Sequence, residues 1–165
     1  MKNIRSSAVV SAMLLLAFSM VPAAASAQPP GDHERPWKVL HFFERAAGDL
    51  AFIDVGAPGP SIGDRLVFSN PIFDTDGVNI GRDGADCLIV RIDPTEPPAR
   101  QQIVQCTISV QLADGQITVQ GLAQGTENYF AITGGTGAYR KARGEVLAVD
   151  IVPLVEAEIT VWLYR

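Results

Sequence analysis

Residues 131–146, with the sequence AITGGTGAYRKARGEV, predict two extended segments joined by a glycine-rich turn. Three glycines fall within four positions (134, 135 and 137), and glycine allows positive φ values at which other residues clash. No helix-forming segment follows the glycines, and no Gly-Lys-Ser/Thr sequence ends the run. A phosphate-cradling loop is therefore a poor interpretation, and the stretch indicates an antiparallel β-hairpin.

The rest of the chain after Trp37 consists of short apolar or alternating runs separated by Gly, Pro and Asp clusters, which is typical of an all-β domain. No segment keeps a 3.6-residue period long enough for a substantial helix. The candidate strands are 37–45, 51–55, 65–73, 85–93, 101–112, 116–123, 127–133, 139–151 and 158–164.

These strands predict an eight-stranded antiparallel up-and-down barrel of the calycin-like kind. Short connections place sequential strands side by side, and closure of the sheet removes its exposed edges. At about eight strands, the lumen holds packed side chains or one small ligand. A two-sheet sandwich is the structural alternative.

The turn signal Asp114-Gly115 predicts one hairpin, with Leu112 opposite Ile117 and Val110 opposite Val119. A second hairpin turns within 94–99. Centred between Glu96 and Pro97, it would place Ile89 opposite Val104 and Cys87 opposite Cys106.

Directly opposed cysteines bring their Cβ atoms close to disulfide range. We therefore expect a Cys87–Cys106 disulfide; a one-residue slip would instead leave two reduced cysteines lining a cavity. The same register turns Leu88, Val90, Ile92 and Ile103 outward, and such an apolar exterior patch indicates self-association.

The first 27 residues have the pattern of a cleaved signal peptide, with Lys2 and Arg5 before an apolar run and Ala25-Ser26-Ala27 before Gln28. An uncleaved membrane anchor is the alternative. Residues 28–36 are expected to form a flexible arm, and 37–165 one barrel domain of a secreted (extracellular or periplasmic) protein.

The net charge of −5 becomes −7 once Lys2 and Arg5 are removed. An acidic chain without a basic stripe is a poor partner for nucleic acid or an anionic membrane. We expect no membrane association after signal cleavage; the partners should be small molecules, other proteins or further copies of the chain.

Several blocks occur together in a characteristic order: Glu44-Arg45, residues 61–64 (SIGD), residues 68–70 (FSN), residues 115–121 (GQITVQG) and Gly134-Gly135-Thr136-Gly137. In this order and spacing they resemble the allene oxide cyclase and dirigent superfamily. The resemblance implies a small antiparallel barrel, trimeric in the plant proteins, that handles a hydrophobic molecule. In plant cyclases a polar clamp holds a water against the epoxide of a fatty acid.

Only part of that clamp is present in this chain. Asn70 matches a water-holding asparagine and Cys87 matches a cavity cysteine, but His41 replaces a glutamate and Phe43 replaces an asparagine. Asp49 and Leu50 stand in place of a Ser-Pro pair, and Ala123 replaces a tyrosine. We therefore do not expect the plant cyclase reaction.

Two functions follow from this sequence. The first is a dirigent-like or non-catalytic binder of a small hydrophobic molecule; the alternative is an isomerase or cyclase acting on a fatty-acid epoxide or other secondary metabolite, with His41, Asp49 and Asn70 as catalytic groups. No metal site and no cofactor are expected. The predicted ligand-binding residues are Phe43, Cys87, Ile89, Val104, Ile108, Val110, Val119 and Ala123.

Overall fold

The computed structural model of the protein describes residues 35–56 and 58–164. The predicted signal peptide and most of the predicted arm lie outside them. The strands are β1 (Lys38–Arg45), β2 (Ala51–Ile53), β3 (Arg65–Phe68), β4 (Pro71–Phe73), β5 (Asn79–Ile92), β6 (Gln102–Leu112), β7 (Gly115–Ala123), β8 (Glu127–Gly135), β9 (Arg143–Val152) and β10 (Glu156–Tyr164). Two short 3₁₀ turns, Pro98–Arg100 and Gly137–Tyr139, complete the regular structure. Within these ranges no helix has the length and hydrophobicity needed to cross a membrane.

The strands close into an antiparallel barrel. Its ring follows the order β1-β4-β5-β6-β7-β8-β9-β10, and β10 pairs back onto β1. The β2–β3 hairpin adds to the same sheet through β3, which pairs with one half of β5 while β4 pairs with the other half. The predicted eight-stranded barrel is confirmed, and the sandwich alternative is excluded.

The β6–β7 hairpin differs from its predicted register by two residues. Leu112 lies opposite Gly115 and Val110 opposite Ile117, so the two-residue turn is Ala113-Asp114. Gly115 has φ 144°, and a Cβ there would overlap the carbonyl oxygen of Thr136. The glycine is thus needed for close backbone approach and not for the turn, which is why the Asp-Gly signal misplaced the hairpin.

A shift of two residues leaves every side chain on its predicted face, because side chains alternate along a strand. The inward set of β6 and β7 therefore remains Ile108, Val110, Ile117 and Val119.

The β5–β6 register is as predicted between Gly81 and Ile89, but a β-bulge between Ile89 and Arg91 shifts the pairing nearer the turn by one residue. Ile92 consequently lies opposite Gln102 and not on the same face as Ile103, contrary to the prediction. Ile89 lies opposite Val104 and Cys87 opposite Cys106, and the two cysteines form a disulfide. Leu88 and Val90 lie on the outer face with 38% and 37% of their surfaces exposed.

Residues 131–146 form a more complex connection than a simple hairpin. β8 ends at Gly135, the Gly137–Tyr139 turn follows, and β9 begins only at Arg143. Tyr139, expected to start a strand, is instead buried at this end of the barrel. Its hydroxyl accepts a hydrogen bond of 3.4 Å from Nζ of Lys38. The predicted strand 139–151 therefore begins four residues later.

The core fills the barrel with one side chain in every two along each strand. On β1 the buried Phe42 alternates with outward-facing neighbours, and on β10 Ile159, Val161 and Leu163 are buried. Ile72 of β4 completes this cluster. Burial of each large apolar side chain contributes about 1.5–3 kcal/mol to the free energy of unfolding.

Candidate ligand chamber

A cavity of about 240 Å³ occupies one end of the barrel, where β1 and β9 end and β8 and β10 begin. It is smaller than the roughly 300–1,000 Å³ typical of sites for drug-sized ligands, so it suits a small molecule. We call this cavity the chamber. Its apolar wall includes Phe68, Ile108, Phe130, Ala148, Ala157 and the Cys87–Cys106 disulfide.

Two alanines create the space. Ala148 of β9 and Ala157 of β10 both face the lumen. The next inward-facing residues on the same strands, Val146 and Ile159, are larger and buried. The barrel is therefore packed solid below the chamber and open at the level of the alanines. Leu154 and Val155, exposed by 70% and 55%, form part of the chamber's rim.

A polar corner interrupts the apolar wall. Asn70 is buried, and its Nδ2 donates a hydrogen bond of 2.6 Å to Oε1 of Glu44. The Oδ1 of Asn70 accepts a hydrogen bond of 3.1 Å from the backbone N–H of Ala47. Both functional atoms of the amide are thus engaged, which fixes the side chain and holds Glu44 at the chamber wall.

Asp83 lies behind this corner, with 5% of its surface exposed. Its Oδ1 accepts a hydrogen bond of 2.8 Å from the backbone N–H of Asn70. Burial, together with the nearby charge of Glu44, raises the pKa of Asp83 from 3.8 to about 8. The Asp83 carboxyl therefore keeps its proton at neutral pH and can share a hydrogen bond with Glu44.

A third carboxyl group lines the chamber two strands away from Glu44. Glu44 of β1 is opposite Ala157 of β10, which is in turn opposite Asp150 of β9. Because Ala157 is small, it does not screen the two acids from each other. Burial, and then the charge of Glu44, raises the pKa of Asp150. The raised pKa values show that the chamber disfavours an additional negative charge.

A family model described as "Allene oxide cyclase barrel like domain" matches residues 44–162, which is more than half of the chain. The chain belongs to the allene oxide cyclase barrel-like family. No curated protein sequence matches the chain.

Solved structures share the fold. A pyocyanin demethylase is 26% identical with a TM-score of 0.66, and the alignment covers 76% of this chain and 99% of that one. A Diels-Alderase from Streptomyces koyangensis is 16% identical (TM-score 0.60, covering 78% of this chain and 68% of that one). A pterocarpan synthase dirigent protein is 17% identical (TM-score 0.58, covering 78% and 85%). At 16–17% identity, the last two show a common fold alone.

Within this allene oxide cyclase-like barrel, four of the residues predicted from sequence line the chamber: Asn70, Cys87, Cys106 and Ile108. Five others, Ile89, Val104, Val110, Val119 and Ala123, belong to inward-facing rows of β5, β6 and β7 but are not on the chamber wall. They pack inside the barrel in layers that lie further along its axis, away from the chamber.

Three predicted site residues lie elsewhere. His41 is on the outer face of β1, where its Nε2 donates a hydrogen bond of 2.7 Å to Oε1 of Glu158. Phe43 shares that outer face and makes an edge contact with His41 at 5.4 Å between ring centroids. Asp49 is exposed in the loop after β1. We therefore assign none of the three a role in the chamber.

The reason is the phase of β1. Leu40, Phe42 and Glu44 point into the barrel, whereas sequence comparison with the family had placed His41 and Phe43 there. A one-residue change of phase turns every side chain of a strand to the other face.

Sequence reasoning missed Glu44, Asp83 and Asp150. The sequence contained a signal for Asp83. Residues 83, 85, 87 and 89 are every second residue of one strand and share a face, and Cys87 was already predicted to point inward. For Glu44, the alternation with Phe42 carried the same information.

The acidic segment 74–79 forms a self-contained turn. The Oδ1 of Asp74 accepts hydrogen bonds from the backbone N–H groups of Asp76 (3.0 Å) and Val78 (2.8 Å). In the part of the chain that the structure describes, no group of three His, Cys, Asp or Glu side chains is arranged to hold a metal ion.

Proposed function

We propose that the protein binds one small, predominantly apolar molecule in the chamber and orients it against the polar corner formed by Glu44 and Asn70. The observation that carries this proposal is that an apolar wall and a few fixed polar groups, Glu44 and Asn70 among them, line the same cavity. An apolar wall supplies affinity through burial, and a few fixed polar groups determine orientation. Such a protein acts as a binder, or guides a reaction in the manner of dirigent proteins by holding one conformer.

The named relatives support a small-molecule role. One acts on pyocyanin, one is a Diels-Alderase and one is a pterocarpan synthase of the dirigent type. Each name describes chemistry on a small organic molecule. The same kind of barrel interior is therefore suited to such ligands.

The chamber's charge narrows the choice of ligand. The pKa values of Asp83 and Asp150 are raised, in both cases first by burial and then by the charge of Glu44. A ligand carboxylate placed here would add another buried negative charge, which is unfavourable. We therefore favour a neutral ligand with a polar group that can form hydrogen bonds over the fatty-acid carboxylate of the plant cyclases.

The test uses two probes of similar size and different charge, 1-aminonaphthalene and naphthalene-1-sulfonate, with binding measured by titration calorimetry. We expect the neutral probe to bind at least about tenfold more tightly, a difference of about 1.4 kcal/mol. Ala148→Phe should fill the chamber and abolish binding. Ala131→Phe, which adds the same ring to the exposed outer face of the adjacent strand β8, is the matched control and should bind as the wild type does.

Two results would contradict the proposal. One is the absence of any binding by the neutral probe to the folded wild-type protein. The other is equal binding by Ala148→Phe and Ala131→Phe, which would locate the probe outside the chamber.

A second candidate function is acid-assisted isomerisation or cyclisation. It is favoured by one observation, the proton that Asp83 retains beside Glu44 at the chamber wall. A proton passed through Glu44 to a ligand oxygen would stabilise the negative charge that develops when a C–O bond of an epoxide breaks. Asp83 would act through Glu44 and is in this scheme a positioning residue.

An allene oxide generated in situ tests this candidate, with product chirality as the readout. Enantiomeric excess that is lost in Glu44→Gln, while the affinity for the neutral probe changes only a few-fold, would support catalysis. A racemic product equal to that of the protein-free control would exclude this reaction.

Export and self-association also belong to the proposal. Cleavage before Gln28 is checked by N-terminal sequencing of the exported protein. The exposed pair Leu88 and Val90 provides an apolar patch for subunit contact, and a trimer is the state that the family resemblance implies. Light scattering measures the molar mass, and hence the oligomeric state, of the wild type and of Leu88→Glu. A monomeric mass for the wild type as well as for the variant would contradict self-association.

A further inference from the structure

We propose that the Cys87–Cys106 disulfide is a redox-sensitive wall of the chamber, reducible in the folded protein only by a thiol small enough to enter, and protected when the chamber is occupied. Access through the chamber follows from the position of the sulfurs and is independent of any ligand. Protection by an occupant rests on the proposed function. The two parts can therefore fail separately.

The two cysteines of the disulfide are buried inside the barrel. Cys87 and Cys106 are 5% and 3% exposed, and both line the chamber. Because they face inward from paired strands, the β5–β6 backbone separates their sulfurs from the outer surface.

The barrel wall beside Cys87 on β5 is closely packed. On β5 the inward neighbours of Cys87 are Ala85 and Ile89, which are 5% and 0% exposed. Both backbone polar groups of Ile89 are hydrogen-bonded to the loop after β2: its N–H donates to the carbonyl of Asp64 (2.8 Å), and its carbonyl accepts from the N–H of Gly63 (2.9 Å). The loop thus covers this flank, whereas the chamber reaches both cysteines directly.

Disulfide exchange requires direct contact between the reacting sulfur atoms. A thiolate must bond directly to one sulfur, which breaks the S–S bond and forms a mixed disulfide; a second thiolate then displaces the other cysteine. A low-molecular-weight dithiol supplies both thiols, loses two electrons and two protons, and becomes a cyclic disulfide. The cysteines gain those electrons and protons and become two thiols. A protein reductant cannot bring its own sulfur into a 240 Å³ chamber.

Reduction should also alter the chamber. Two thiols occupy more volume than a bonded pair, because van der Waals contact replaces a covalent bond, and the added volume is taken from the chamber wall. Ligand affinity should therefore fall on reduction. By linkage, a ligand that prefers the oxidised wall must oppose its reduction by the same factor.

The experiment measures the rate at which thiols appear in the folded protein, by alkylation and intact mass. The reductants are dithiothreitol and the thioredoxin system, each applied to the wild type, Ala148→Phe and the matched control Ala131→Phe. We expect dithiothreitol to reduce Ala148→Phe at least about tenfold more slowly than the other two. Thioredoxin should reduce the folded wild type no faster than the protein unfolds.

Equal dithiothreitol rates in Ala148→Phe and Ala131→Phe, or rapid reduction of the folded protein by thioredoxin, would overturn access through the chamber. Ala157→Leu fills the same space from β10 and serves if Ala148→Phe does not fold. Saturating 1-aminonaphthalene should slow reduction of the wild type and leave Ala148→Phe unchanged. If the filled variants are slow but a bound probe gives no protection, coupling to the ligand is overturned and access through the chamber stands.

Discussion

Nδ2 of Asn70 donates a hydrogen bond of 2.6 Å to Oε1 of Glu44, so one buried amide holds one carboxyl group at the wall of the chamber. The backbone N–H of the same asparagine donates to Oδ1 of Asp83 at 2.8 Å. Asn70 therefore keeps the carboxyl groups of Glu44 on β1 and Asp83 on β5 close together. In this buried place two negative charges would repel each other strongly. One result is a proton retained near neutral pH.

That proton makes stability depend on pH. The folded-state pKa of Asp83 is raised to about 8 from 3.8, so between these values the unfolded chain releases the proton and the folded chain keeps it. The favourable contribution is complete below about pH 4 and is lost as pH rises toward 8. Asp83→Asn keeps an acceptor for the Asn70 N–H and no longer titrates.

Asp83→Asn should consequently be more stable than the wild type at pH 7.5, by on the order of 1 kcal/mol, with a smaller gain at pH 5. Urea denaturation at the two pH values measures the difference. Asp76→Asn, in an exposed turn, is the control and should follow the wild type. A variant profile as steep as that of the wild type would show that Asp83 releases its proton in the folded state.

The two faces of β1 predict different roles for His41 and Glu44. Glu44→Gln removes a negative charge from the chamber wall and should increase the affinity for naphthalene-1-sulfonate roughly fivefold to tenfold. His41→Gln alters only an exposed pair with Glu158 and should change neither probe's affinity, at a stability loss of at most about 1 kcal/mol. Calorimetric titration of both variants compares them. An effect of His41→Gln as large as that of Glu44→Gln would contradict the orientation of β1.

Asp64 anchors the loop between β2 and β3. It is fully buried, and its carboxylate accepts hydrogen bonds from the backbone N–H groups of Val55 (2.9 Å) and Ser61 (2.6 Å) and from the Ser61 hydroxyl (3.1 Å). The Val55 hydrogen bond is the main cause of its lowered pKa. This contribution is present above pH 3.8 and is lost as pH falls through the lower folded-state value.

Asp64→Ala should lower the melting temperature at pH 7 and speed proteolytic cleavage between residues 56 and 63. Asp54→Ala is the comparison: this exposed carboxylate accepts hydrogen bonds from the N–H groups of Gly56 and Gly59 in the same loop and should matter less. The loss caused by Asp64→Ala should shrink as pH is lowered. Equal cleavage rates in the two variants would rule out Asp64 as the anchor.

Gly144 allows β9 and β10 to approach each other at the end of the barrel opposite the chamber. It has φ 145°, and a Cβ there would overlap the carbonyl oxygen of Trp162. Gly144→Ala should therefore destabilise the fold by about 2 kcal/mol or more. Gly84→Ala is the matched control, because nothing lies within 4 Å of the position of its Cβ. Chemical denaturation compares the two; similar midpoints would show that the β9–β10 contact adjusts freely.

The sequence predicted features that depend on alternation along one strand and on pairing between neighbours in the chain. The opposition of Cys87 and Cys106 is the clearest example, and it holds even though a β-bulge between Ile89 and Arg91 displaces the pairing nearer the turn by one residue. The β6–β7 hairpin was displaced by two residues, since Gly115 serves a contact with Thr136 that is 21 residues away in the chain. Local turn chemistry carries no information about such a contact.

The all-β class, the eight-stranded closure and the inward faces of β5 to β7 follow from the sequence alone, because hydrophobic alternation has the same period as the strand. Only the tertiary structure decided which acids meet. Glu44, Asp83 and Asp150 are far apart in the chain and converge because the barrel closes between β10 and β1. The tertiary structure also determined which face of β1 points inward. Phe42 and His41 are adjacent in the sequence, and Phe42 is the inward residue because it packs against Ile72 and Ile159.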